Sequence, residues 1–299
     1  MSESDNKEKE LKAMIELLED PDERIYEQIK SRLLDMGEHV IPFLEAVWEN
    51  TFNNELQNKI ELIIQTIQFD QVSSDLKFWA ESGGTDLLEG AIIVTRYQYP
   101  DLNDDQIRRQ VELIKKDVWL ELNPNLTAYE KVRVINHILF DVHGFSGNTK
   151  NYHAPQNSYI NHVLDQKKGN PLSLCLLYST IAQSLNMPIV GVNLPEHFIL
   201  AYRDELSFLD EDEDGYEPVL FYINPFSKGS VFSRRDIDDF LKNLKIEPNR
   251  MYYESCTNID IICRLIRNLI NSYEKLGYSN KVDELKILIK SINEFSSLG

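Results

Sequence analysis

Cysteine is scarce in this chain: Cys175, Cys256 and Cys263 are the only three among 299 residues. An odd number without framework spacing excludes a disulfide scaffold and points to a reducing compartment. Positive charge is short as well, with 31 Lys and Arg against 49 Asp and Glu and a formal net charge of −18. A field of that sign repels phosphate backbones and anionic lipid, and the basic pairs Lys115-Lys116 and Arg234-Arg235 are too sparse to reverse it. Neither nucleic acid nor a membrane is therefore an expected partner. No apolar run reaches membrane-spanning length, and the opening MSESDNKEKELK has neither the basic start nor the apolar core of a secretory signal. A cytoplasmic chain is the expectation. Paired close spacings of cysteine and histidine are missing, as is a glycine-rich loop after a predicted strand, so no metal and no cofactor is implied.

What is present is ordinary globular material. Hydrophobic residues make up 42% and aromatics 10%, enough to build a core, and the length suits about two domains. Helical periodicity fills residues 11 to 80, punctuated by Asp20-Pro21-Asp22, Gly37 and Pro42. The stretch LLEDPDERIYEQIKSRLLDMGEHVIPFL resembles a HEAT-type repeat. Two further helices are expected over 104 to 143, and a short one after Ser158 as N-cap, ending at Lys167-Lys168-Gly169. Asn170 with Pro171 then opens a helix running to about Leu185. Strand-like sequence follows from Ile189 to Tyr202, broken at Pro195, and again in PVLFYINPF. Two helices from Asn258 to about Phe295 close the chain. The pattern predicts an α+β protein with three regions: helices over 1–100, a helix-plus-sheet core over 101–250, and a helical hairpin over 251–299.

Four residues carry candidate chemistry. A helix N-terminus lowers a thiol pKa only within the first turn. With Asn170 as cap, Ser173 is the third helical residue and Cys175 the fifth, already in the second turn of a helix that is apolar nearly all round. Cys175 therefore reads as a buried structural thiol, with nucleophile as its alternative. Ser173, in the exposed opening turn, is a nucleophile candidate or a local backbone-bonding serine. His197 follows a Pro-Glu break at the start of a strand, where a side chain can be aimed out of the sheet. If Tyr202 pairs antiparallel with Val219, position 197 falls opposite Asn224, whose side-chain oxygen can hold an imidazole N–H.

The acidic run DELSFLDEDEDGYE separates the two strands. Asp210, Asp212, Asp214 and Gly215 match the first half of a calcium-binding loop, yet Phe221 stands where a bidentate Glu is required. A solvated hairpin connection is the expectation, and its charge favours a basic partner whose binding weakens in salt.

The central block resembles the SirB-type branch of the transglutaminase-like superfamily. The resemblance is carried by Gly144-Phe145, Gly147-Asn148, Tyr152, Asn157-Ser158, Gly169 with Pro171, Ser173-Leu174, Tyr178, Pro188, Pro195, His197-Phe198, and Asn224-Pro225-Phe226 with Gly229. The last two helices are similar to that family's TPR-like hairpin. What the resemblance implies is a papain-like α+β core, a central helix packed on an antiparallel sheet. Active relatives place a Cys at the helix start, a His on the next strand and an Asp or Asn on the one after. His197 matches the histidine and Asn224 the orienter, but Asn170-Pro171-Leu172-Ser173 lacks the cysteine. Cys175 lies roughly 200° around the helix from Ser173 at about 100° per residue. The favoured expectation is a degenerate triad in a module that binds a peptide or protein partner. An amide hydrolase or acyl transferase using Cys175 or Ser173 with His197 and Asn224 is the alternative.

Overall fold

The computed structural model describes residues 3–204 and 218–296, so most of the acidic run and its calcium-loop match lie outside the described residues. The chain divides into two units, Met1–Asp75 and Leu76–Gly299.

The first unit is helical: α1 (Glu3–Glu16), α2 (Glu23–Met36), α3 (Ile41–Asn50) and the start of α4 (Asn54–Glu81). Asp22 caps α2 by accepting from the Arg24 N–H, and Gly37 at φ 66° ends it, as the sequence punctuation predicts. Leu18, Leu33, Val40, Leu44, Ile60 and Ile63, each from the apolar side of its helical segment, converge into a fully buried core.

The second unit places a sheet between helices. It contains α5 (Leu87–Arg96), α6 (Asp104–Glu121) and α7 (Ala128–Asn136), which continues as a π-helical turn over His137–Val142. Short strand β1 (Ser146–Gly147) pairs parallel with β2 (Lys168–Gly169), and α8 (Ile160–Gln166) lies between them in sequence. Ser158 is not the cap of α8, contrary to expectation. It closes a 3-10 turn, and its hydroxyl accepts from the Asn170 side chain at 2.9 Å. Helix α9 (Pro171–Ser184) is buried at every residue from Pro171 to Ala182, as a helix apolar on all sides must be.

Behind it the strands β3 (Ile189–Val192), β4 (Ile199–Arg203), β5 (Val219–Asn224), β6 (Ser230–Phe232) and β7 (Ser255–Cys256) form an antiparallel sheet in the order β6-β5-β4-β3-β7. Both faces of β4 are covered, so its residues from Ile199 to Tyr202 are buried on alternating sides. Ile199 and Ala201 pack with Ile237 and Leu241 of α10 (Arg234–Leu244), while α9 packs against β3 and β4. Helices α11 (Asn258–Leu276) and α12 (Ser279–Asn293) form the closing hairpin, and α11 also packs on α5 and α9. The α+β core with central helix, antiparallel sheet and flanking helices is as expected. No helix among the described residues is long and apolar enough to cross a membrane.

Candidate functional site: a cleft beside His197

Construction of the site begins at the α9 N-terminus. Asn170 Oδ1 accepts from the Ser173 N–H at 2.9 Å, and Ser173 Oγ in turn accepts from the Asn170 N–H at 3.0 Å. This reciprocal cap satisfies two amide donors that the helix leaves unpaired. It also takes up the hydroxyl: Ser173 is 2% exposed, so the serine expected in an open turn faces its own backbone. Cys175 is 0% exposed, and its thiol donates to the Phe198 carbonyl at 3.4 Å. Burial pushes that thiol well above its ordinary pKa, and the neighbouring Cys256 adds to the shift.

His197 is set by a tight turn that precedes β4. Its N–H donates to the Leu194 carbonyl at 3.3 Å across Pro195-Glu196, and Glu196 takes φ 58°. Proline second and a left-handed residue third is the pattern of a type II turn, which glycine or asparagine fills without strain. A glutamate there stores strain next to the imidazole. From α11, Arg264 fastens the turn, Nη1 donating to Asn193 Oδ1 at 2.8 Å and Nη2 to the Leu194 carbonyl at 3.5 Å.

The strand register differs from the expected one. Tyr202 lies opposite Phe221, and Val219 lies opposite Arg203, because a bulge leaves Leu220 as an extra residue on β5. Pairing starts at Leu200 with Ile223, so position 197 is not directly opposite Asn224. The two side chains nevertheless hydrogen bond, since both lie just beyond the β4–β5 pairing, where Asn224 is held by β6 opposite Ser230. Asn224 is anchored too: its Oδ1 accepts from Phe226 N at 3.1 Å and Ser227 N at 3.4 Å.

Burial holds the His197 pKa below its ordinary 6.5, the Asn224 hydrogen bond opposes that shift, and the Arg264 charge reinforces it. The ring is neutral at pH 7. Because the folded chain binds this proton less readily than the unfolded one, stability falls as pH drops through 6.5, and the penalty is complete below the folded pKa. A His197→Gln variant should therefore lose less stability than the native chain between pH 7 and pH 5. Urea midpoints at the two pH values measure this, and equal losses would refute the assignment.

Together these elements border a cleft of about 500 Å³. Leu172, His197, Tyr152, Arg264, Asn268 and Lys275 line it, whereas Ser173 and Cys175 do not. The structure thus brings His197 and Asn224 together and keeps both candidate nucleophiles away from the cleft. The contribution of α11 was missed in the sequence, although polar residues at 264, 268, 271 and 275 recur at helical spacing along one face of this amphipathic helix.

A family model described as the transglutaminase-like superfamily matches residues 105–267, more than half of the chain. The chain belongs to the transglutaminase-like superfamily. It is 30% identical over 198 residues to a UPF0162 protein of Xylella fastidiosa, covering 62% of this chain and 64% of that one. To F-box only protein 21 of Mus musculus it is 29% identical over 173 residues, half of this chain and 27% of the relative. A UPF0162 protein of Vibrio cholerae is 24% identical over 184 residues, 60% and 63% of the two chains. The chain thus spans less than two thirds of the length of these curated relatives. No solved structure matches it. Within this transglutaminase-like core Asn170, Pro171 and Leu172 line the cleft from the helix start, and none of them carries a thiol or hydroxyl. Among the described residues no group of three or more acidic, histidine or cysteine side chains could hold a metal ion.

Proposed function

We propose that this chain is a cytosolic transglutaminase-like protein with a degenerate triad, whose cleft binds a peptide or protein segment without processing it. The observation that carries this reading is the placement of Leu172 on the cleft while the Cys175 thiol is fully enclosed and the Ser173 hydroxyl caps its own helix. A thiol whose pKa is raised by burial has neither the thiolate fraction nor the access that acyl transfer needs. Occurrence of the matched segment within 27% of F-box only protein 21 fits a module carried by larger chains. A TPR-like hairpin after the core would extend the binding face. The net charge of −18 favours a basic partner.

An acyl-transfer reading draws support from one feature, the neutral His197 bonded to Asn224, which is a base already poised. Iodoacetamide separates the two. The folded chain at pH 7.5 should take up no label, and all three cysteines should react once it is unfolded, because each is buried and burial raises each pKa, that of Cys263 to about 11. A glutamine-containing peptide should release no ammonia. Prompt alkylation of Cys175 together with ammonia release would establish an enzyme instead.

A further inference from the structure

The α11 wall of the cleft has its own chemistry. Arg264, Asn268, Asn271 and Lys275 line the cleft at intervals of three and four residues, so they form one polar face along the helix. From Arg264 to Lys275 is about 16 Å at 1.5 Å per residue. That length spans about five residues of extended chain. An Asn amide offers one acceptor and two donors, which match the N–H and C=O of a peptide unit.

Arg264 is the anchor at the His197 end. It is partly buried in a chain of net charge −18, yet its hydrogen bonds go to a neutral amide oxygen and a backbone carbonyl. Among the described residues no carboxylate lies within ion-pair distance of it. Two of its five N–H groups are used, and three are left for a ligand. Burial lowers its pKa, the mark of a cation that has lost water without gaining an anion. Guanidinium and carboxylate match as a two-pronged pair. One negative charge is what this end accommodates, because Lys275, the other cation on the stripe, stands a full 11 residues along the helix.

We propose that the cleft receives the C-terminal end of an extended peptide, its carboxylate bound by Arg264 beside His197 and its backbone laid along the Asn268, Asn271 and Lys275 face of α11. This rests on the peptide-binding reading above and names the ligand class. Exposed Glu196 and Glu274 on the cleft wall, the latter 3.6 Å from Lys286, favour basic side chains upstream of the terminus.

Two acetylated tetra-alanine peptides test it on the full chain, one ending in a free carboxylate and one in a carboxamide. Isothermal titration should show the acid binding about tenfold to a hundredfold tighter than the amide, the range of a charge-assisted hydrogen bond. The bound acid should also raise the His197 titration midpoint seen by NMR, since a negative charge then joins Arg264, Tyr152, His153, Glu196, Glu274 and Lys275 around the cleft. Arg264→Gln should abolish the acid preference. Because Arg264 also braces the 194–197 turn, Asn268→Leu serves as the second variant and should weaken both peptides alike. Equal affinity of acid and amide overturns the carboxylate anchor while leaving peptide binding intact. Inorganic phosphate binding more tightly than the acid overturns it in favour of a phosphate site, and binding of neither peptide removes both readings.

Discussion

A Leu172→Cys variant is expected to react with iodoacetamide at neutral pH at least about 100-fold faster than any thiol of the native chain. Three observations set the direction. Leu172 is the second residue of α9, within the turn whose amide groups and aligned dipoles stabilise a thiolate. Leu172 is itself only 1% exposed, but it lines the same cleft as His197, a ring held neutral and so able to accept a proton, and the shorter cysteine side chain leaves room there for the reagent. The native thiols are enclosed and shifted the other way. The pH profile carries the information: alkylation should titrate with a midpoint below the roughly 8.5 of an unperturbed cysteine. A profile at or above that value would show that the helix end does not act on this position. The cost in stability should be below the roughly 2–5 kcal/mol of a full Leu→Ala truncation, so the variant is expected to fold. The experiment also bears on the family chemistry, because it asks whether one apolar side chain is what separates this cleft from a thiol site.

Much of this arrangement is legible without coordinates, for local reasons. Asn170-Pro171 opens α9 because capping and a missing N–H are properties of two adjacent residues. The burial of Cys175 follows from its place in a helix apolar on nearly every side. Long-range geometry is harder. The Tyr202–Val219 pairing fails because a single bulged residue, Leu220, shifts the register, and nothing in VLFYIN marks it. His197 and Asn224 meet even so, which local pattern alone does not require. Ser173 was expected in an open turn, with local backbone bonding as its alternative, and the capping box it forms with Asn170 three residues before it is that alternative. The polar stripe of α11 lies far in sequence from His197, and only the packing of α11 against α9 brings the two together.

The largest effect on stability is expected at Gly229. A Gly229→Ala substitution should destabilise the core by roughly 2–5 kcal/mol, the sum of a left-handed backbone penalty and disruption of a part-buried polar network. Gly229 has φ 70°, and a Cβ built there would stand 1.9 Å from Asn136 Oδ1 and 2.3 Å from its Cγ. Asn136 is not free to retreat. Its Nδ2 donates to the Gly229 carbonyl at 2.8 Å, and its Oδ1 accepts from the hydroxyl of fully buried Tyr178 at 3.1 Å. The same glycine donates its N–H to the Asn224 carbonyl at 2.9 Å, so displacement also reaches the residue that holds His197. Gly277 supplies the control, because at φ 79° it has nothing within 4 Å of a built Cβ. Gly277→Ala should cost only the conformational part, about 1–2 kcal/mol. Urea-dependent labelling of Cys175 reports opening of the core itself, and its midpoint should fall by about 1–2 M in Gly229→Ala. An Asn136→Ala background removes the obstructing atoms, so the added cost of Gly229→Ala there should shrink to that of Gly277→Ala. If the two glycine variants cost the same in the native background, the steric argument is wrong, and the turn after Asn224 is held by something other than Asn136.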